Sequence, residues 1–328
     1  MNQSQSFPFR NPARKLIFEN QHMPKFGFPM PPPPPLLRAQ KKNFHIVNLE
    51  SLTSPSSEKE EEKNEINDLV NVLLQPNLDN TPEVDPKIRD TVIMYSRIES
   101  QKKELFESFQ KTHKLKIDQI FNERFAESLY QYIIRIPDSK LNIACGIRNT
   151  KYEKKMIPTL QKRNQDNINE ANKTFGKGEF SYVFQRGMNN TPGEISQYES
   201  MLRLILNSDE FKKILSEITG LEITQLNTMF LSKYKSGHFL SPHSDKGNGK
   251  IAFVINLTKG WQPQYGGNLH FLSEDRTKIV ETWTPAFNNM VVFFVPPDKE
   301  EFFGLPHFVG HVAPGLKISR YAITGWYS

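Results

Sequence analysis

Residues 226–261 read LNTMFLSKYKSGHFLSPHSDKGNGKIAFVINLTKGW, and the rhythm of that stretch decides the fold. Two short apolar or alternating runs, 228–235 and 251–257, flank the turn-forming Gly247-Asn248-Gly249. The same beat continues through 268–272, 289–295, 307–312 and 318–325. Turn residues punctuate it at Tyr265-Gly266-Gly267, Asn288-Asn289, Pro296-Pro297 and Pro314-Gly315. Regularly spaced runs of this length, bounded by Gly, Pro or Asn, predict the strands of a β sandwich or barrel.

Upstream of residue 226 the apolar spacing changes from two to three and four. Residues 115–135 place Ile117, Ile120, Phe121, Phe125, Leu129 and Ile133 on one stripe, which predicts an amphipathic helix that needs a surface to pack on. Residues 194–217 give a second helix, with Tyr198, Met201, Leu202, Leu204, Ile205, Phe211 and Ile214. Residues 66–75 and 87–112 also have helical spacing, with Pro76, Pro82 and Pro86 breaking the path between them. The fold class is therefore expected to be α+β, with helices leading into a β sandwich or barrel.

Further out the chain stops looking like a core. Hydrophobic residues are 37% of the 328, low for a chain folded end to end. Residues 1–43 are rich in Pro, Gln, Asn and Phe, and Pro31 to Pro35 should be stiff polyproline II, which is expected to sit in a disordered leader. Residues 31–35 could also serve a proline-reading partner. Residues 51–65 (SLTSPSSEKEEEKNE) read as linker. The net charge of +6 also lies at this end. Residues 1–43 hold seven basic residues (Arg10, Arg14, Lys15, Lys25, Arg38, Lys41, Lys42) against Glu19, and the remainder is balanced. A neutral remainder argues against a phosphate-tracking nucleic-acid surface. No apolar run is long enough for a membrane helix, and no apolar segment of a secretory signal follows the N-terminal basic residues. Cys145 is the single cysteine, which excludes an intrachain disulfide framework and multi-cysteine zinc sites. A reducing compartment is expected: the cytoplasm, or the nucleus in a eukaryotic cell.

Within the opening stretch, SPHSD over 241–245 carries the chemistry. Residues two apart on an extended chain point to one face, so His243 and Asp245 would aim an imidazole and a carboxylate at one point. With one further histidine they would form two histidines and one carboxylate on one face of an octahedron. The three positions left open suit Fe(II) and oxygen chemistry. The spacing alone is weak, because average acid usage gives such a pair by chance in about one chain in three with this many histidines. What raises its weight is the ordered set of features around it.

That set resembles the 2-oxoglutarate and Fe(II)-dependent oxygenases of the prolyl 4-hydroxylase type. YKSGHFLSPHSD over 234–245 looks like the family's Tyr-x-x-Gly-x-x-x-x-x-His-x-Asp opening. IAFVINLTKGW over 251–261 and GGNLHF over 266–271 are similar to its next strand and its Gly-Gly-x-Leu turn. MVVFFV over 290–295, HFVGHV over 307–312 and RYAITGW over 320–326 resemble the apolar strand, the distal histidine motif and the closing strand. The resemblance covers roughly residues 115–328. It implies a double-stranded β-helix, or jelly roll, and divides the chain into a disordered proline-rich and charged leader (1–65), a helical linker region (66–114) and a dioxygenase domain (115–328).

The resemblance also implies roles. His243 and Asp245 would be metal ligands, with the third place open between His307 and His311. Both share strand parity but would lie about 13 Å apart, so only one can bind. His307 is favoured, because valines follow at the family's positions. A hairpin turning near Gly315 would also place Arg320 opposite Val309, one inward step from His307. Arg320 would clamp the distal carboxylate of 2-oxoglutarate through paired charged hydrogen bonds. Thr324, on the same face, and Tyr234 would add cosubstrate contacts. Asn256 stands where several relatives have tyrosine. No catalytic side chain is expected beyond the ligands. The implied cofactors are Fe(II), 2-oxoglutarate and O2, with L-ascorbate as a candidate reductant. The implied activity is hydroxylation of a prolyl residue in a protein or peptide, with succinate and CO2 as coproducts. Free amino acids, lysyl residues and alkylated bases are the alternative substrates on similar scaffolds. A non-catalytic binding module is the reading from another class, and the presence of all four of His243, Asp245, His307 and Arg320 argues against it.

Overall fold

The structure is a computed structural model that describes residues 90–147, 165–187, 197–297 and 304–328. The readings for 1–65 and 66–75, including Pro31 to Pro35, lie outside the described residues. Among the described residues, eleven antiparallel strands form one sheet: β1 (Lys114–Asp118), β2 (Asn142–Ile147), β3 (Ser181–Gly187), β4 (Leu226–Tyr234), β5 (Phe239–His243), β6 (Ile251–Asn256), β7 (Leu269–Leu272), β8 (Ile279–Trp283), β9 (Asn289–Phe294), β10 (His307–Val309) and β11 (Arg320–Tyr327). Their order is β1-β9-β6-β11-β4-β3-β5-β10-β7-β8, with β2 added on β3. The sheet curls on itself, so that its two end strands meet through side chains. Lys114 of β1 pairs with Glu281 of β8 at 3.1 Å, and Lys116 lies over the Trp283 ring. Helices pack against one face. This is the α+β class expected from the strand rhythm, in the jelly-roll form that the resemblance implies.

Period-two alternation explains why the central strands read as unbroken apolar runs. Ile251, Phe253 and Ile255 of β6 join the helices in one core, while Ala252 and Val254 enter a second core inside the curl. Met290 and Val292 against Val291 and Phe293 divide β9 in the same way, and Tyr321 and Ile323 against Ala322 divide β11. A strand buried on both faces needs apolar residues at every position. The inner face, walled by aromatics such as Phe184, Phe230 and Tyr234, is where the candidate site lies.

Three expectations need correction. Residues 114–118 form β1, and the helix begins only at Glu123, where the Asn122 side chain accepts from the Arg124 N–H and caps it. Leu115 and Ile117 fit both periods, and pairing with β9 selects the strand. The helix expected over 194–217 is two, Gln197–Leu206 and Asp209–Thr219, with Ser208 capping the second. The extended run expected over 307–312 ends at Val309, and no β10–β11 hairpin forms. β10 lies between β5 and β7, whereas β11 lies between β4 and β6. The chain leaves one side of the curl after Val309 and enters the other at Arg320.

The Gly266-Gly267 turn fixes one end of this crossing. Gly266 has φ +69°, and a Cβ there would sit 1.9 Å from the His311 carbonyl oxygen, a backbone atom that cannot swing away. Gly266→Ala is therefore expected to destabilise the fold by about 3 kcal/mol or more, combining left-handed strain with a backbone clash. Urea unfolding midpoints of the two proteins check this.

Candidate metal centre

His243 ends β5 and His307 begins β10, and the two are cross-strand partners. Asp245 follows two residues after His243. The three ligand-capable atoms all lie within 4.8 Å of one another, the one such grouping of three or more among the described residues. His243 Nε2 is 3.3 Å from Asp245 Oδ1, and His307 Nε2 is 3.6 Å from Asp245 Oδ2. The two imidazole rings are 4.3 Å apart.

The other ring nitrogens fix what faces the centre. His243 Nδ1 donates to the Ser241 carbonyl at 3.0 Å, and His307 Nδ1 donates to the Leu305 carbonyl at 2.8 Å. A carbonyl only accepts, so in each neutral ring the proton sits on Nδ1 and Nε2 presents a lone pair. This is the usual outer arrangement around a metal-ligating histidine. Burial, aided by the His243 imidazole, lowers the His307 pKa to about 4, so the ring is neutral at physiological pH. Burial pushes the Asp245 carboxyl up, but attraction to the imidazoles in their protonated form more than offsets it and holds the carboxyl below its usual value. Two lone pairs and an ionised carboxylate converging in a buried space repel one another unless a cation sits between them. The donor set thus fits a divalent metal of the kind held by two histidines and one carboxylate.

His311 is not part of this group. Its ring stacks on Phe239 at 4.3 Å and meets Phe175 edge-on at 4.4 Å. Strand parity fails as a guide because β10 has already ended.

Arg320 begins β11 opposite Tyr234 and is 3% exposed. Its Nη2 donates to Asn256 Oδ1 at 3.3 Å, while Nε and Nη1 are buried without a partner. A buried guanidinium with free N–H groups and no carboxylate partner among the described residues is costly unless an anion arrives. These orphaned donors fit a carboxylate such as the distal one of 2-oxoglutarate. Tyr234 is buried beside it, with the guanidinium 5.1 Å from its ring centre and its own phenol pushed up to about 12 by burial. Thr324 shares the inner face, but its hydroxyl lies 3.4 Å from Ser232 Oγ.

Sequence reasoning missed two inner residues. Arg186 on β3 lies 3.7 Å over the Phe230 ring with a buried, unpartnered Nε. No strand was expected there, so nothing pointed its side chain inward. Asn289 stood both among the turn residues and at the head of the run 289–295; it opens β9 and is 4% exposed, but no role was expected of it.

Residues 229–328 match the 2OG-Fe(II) oxygenase superfamily. Mouse prolyl 3-hydroxylase OGFOD1 is 30% identical over 133 residues, covering 39% of this chain and 23% of that protein. The chain thus spans under a quarter of the length of that relative. Two solved structures are similar, each at 15% identity. A prolyl-4-hydroxylase from Pseudomonas putida has a TM-score of 0.44, with 69% of this chain and 97% of that one covered. A Trichoplax adhaerens prolyl hydroxylase bound to a fragment of hypoxia inducible factor has a TM-score of 0.48, with 71% and 91% covered.

Proposed function

We propose that this chain, whose residues 229–328 carry a 2OG-Fe(II) oxygenase superfamily domain, is an Fe(II)- and 2-oxoglutarate-dependent dioxygenase that hydroxylates a prolyl residue of a protein or peptide substrate. The observation that carries the reading is a pairing inside one curl. Two imidazole lone pairs and a carboxylate converge on one point, and a buried guanidinium with unused donors lines the same inner face. His243 Nε2, Asp245 and His307 Nε2 would hold the iron. Arg320 would hold the distal carboxylate of 2-oxoglutarate, with Tyr234 and Thr324 beside it. When bound, the metal and 2-oxoglutarate supply the activation of dioxygen needed to hydroxylate an unactivated C–H bond, with succinate and CO2 as coproducts.

The chain's own residues bind, orient and exclude water. The Nδ1 hydrogen bonds hold both imidazoles in the metal-binding tautomer. Phe293 at 4.7 Å and Phe271 at 6.1 Å wall the His307 ring and keep its surroundings dry. Low local dielectric strengthens every charged contact made there. Within this reading the substrate class is a prolyl residue because the curated relative and the solved structures quoted above are named as prolyl hydroxylases. L-ascorbate as reductant and a cytoplasmic or nuclear location belong to the same proposal. No helix among the described residues is long and apolar enough to cross a membrane.

The test is turnover. Purified protein with Fe(II) and 2-oxoglutarate should form succinate faster when proline-containing peptides are added, and mass spectrometry should find one added oxygen on a prolyl residue. Hydroxylation of lysyl peptides or free amino acids instead would move the substrate class. Succinate formation no faster than in His243→Ala across all substrates would remove the reading.

A further inference from the structure

We propose that Asp118, Asn289 and Asn256 form a polarised hydrogen-bond relay that aims Arg320 and thereby sets the affinity for 2-oxoglutarate; the proposal rests on the dioxygenase reading above. The three residues stand in register across neighbouring strands. Asp118 of β1 is the cross-strand partner of Asn289 of β9, and Asn289 is the partner of Asn256 of β6. β11, which carries Arg320, is the next strand in the sheet.

The chemistry of the two ends fixes the direction of every bond. A guanidinium can only donate, so Asn256 must present Oδ1 to Arg320 Nη2, at 3.3 Å. Its Nδ2 is then left to donate, and it does so to Asn289 Oδ1 at 3.1 Å. The Asn289 Nδ2 donates in turn to Asp118 Oδ1 at 3.1 Å. An ionised carboxylate can only accept, so the chain terminates there. Both amides therefore point their oxygen toward Arg320 and their nitrogen toward Asp118. Asn256 and Asn289 are 3% and 4% exposed, so an unmade bond at either would be costly. The rest of the neighbourhood holds Asn289 in place. Asn288 next to it donates to the Phe121 carbonyl and accepts from the Phe121 N–H.

The neutrality of Asn256 is the functional point. An aspartate there would pair with the guanidinium and satisfy it, leaving less of its charge for an incoming carboxylate. An amide orients the guanidinium through Nη2 and leaves its charge, with Nε and Nη1, for the ligand. Asn256 and Asn289 are thus positioning residues that act through Arg320.

Calorimetric titration of 2-oxoglutarate into protein loaded with Mn(II) tests the relay without turnover. Removing an outer-shell partner of this kind should weaken binding by about 10- to 100-fold for Asn256→Ala. Asn289→Ala touches neither Arg320 nor ligand, and should weaken it by a smaller factor, about threefold or more. Asn256→Asp keeps shape and acceptor and should still bind 2-oxoglutarate at least about tenfold more weakly, through charge competition. In turnover the KM for 2-oxoglutarate should rise while the KM for peptide stays constant, and Mn(II) affinity should not change. A purely structural role would instead lower the melting temperature and metal affinity together. If wild type binds 2-oxoglutarate and Asn256→Asp binds it equally well, the relay proposal is overturned. If wild type itself binds none, the dioxygenase reading falls and takes the relay with it.

Discussion

Replacing His243 with alanine is expected to cut succinate formation by roughly a thousandfold or more, because the several kcal/mol supplied by a correctly held metal ion are lost. The geometry argues for so large an effect. His243 supplies one of three converging atoms, and its Nε2 lies 3.3 Å from Asp245. Two remaining protein ligands would hold the ion weakly and in the wrong geometry. The fold should survive, since His243 ends β5 and is only half-buried. Removing one of several crowded lone-pair donors relieves repulsion in the empty protein. A melting temperature near that of wild type, together with absent turnover, is the expected pair of results.

The second large effect concerns the clamp. Arg320→Ala should weaken 2-oxoglutarate binding by about 3 to 5 kcal/mol, the usual cost of leaving one charge of a buried pair alone, or a hundredfold and more in Kd. The sign for stability is opposite. In the ligand-free protein Arg320 is a buried charge with two unpartnered nitrogens. Burial also pulls its pKa down, which marks how poorly the site solvates the cation. Removing it relieves that cost, so ligand-free Arg320→Ala should melt no lower than wild type despite the cavity it leaves. Arg320→Lys should recover part of the affinity, since an ammonium supplies charge but not the planar set of donors. Titration calorimetry and thermal melts with and without 2-oxoglutarate read both halves.

The sequence made the central strands legible for a physical reason. β4, β6, β9 and β11 are buried on both faces, so their apolar runs stand out against the turns. The His243-Ser244-Asp245 spacing was equally legible, because short-range geometry on an extended chain suffices. β1, β5 and β8 were not. β5 contains Ser241 and Pro242, which break an apolar pattern, and β8 exposes Ile279 and Val280 at the sheet's end. β1 carries apolar residues that satisfy a helical and a strand period alike. The hairpin expected between His307 and Arg320 failed because adjacency in sequence was taken for pairing, whereas β10 and β11 enter opposite sides of the curl. The asparagine relay left no trace at all. Its members are 33 and 171 residues apart, and only the sheet order brings them into line.

Whether His243, Asp245 and His307 together hold Fe(II) is decided by metal binding. Protein stripped with chelator and titrated with Fe(II) under anaerobic conditions should bind a single ion per chain in wild type and in His311→Ala. His307→Ala should bind none at the same free concentration. Full binding by His307→Ala, or its loss in His311→Ala alone, would mean that these three residues are not the iron ligands.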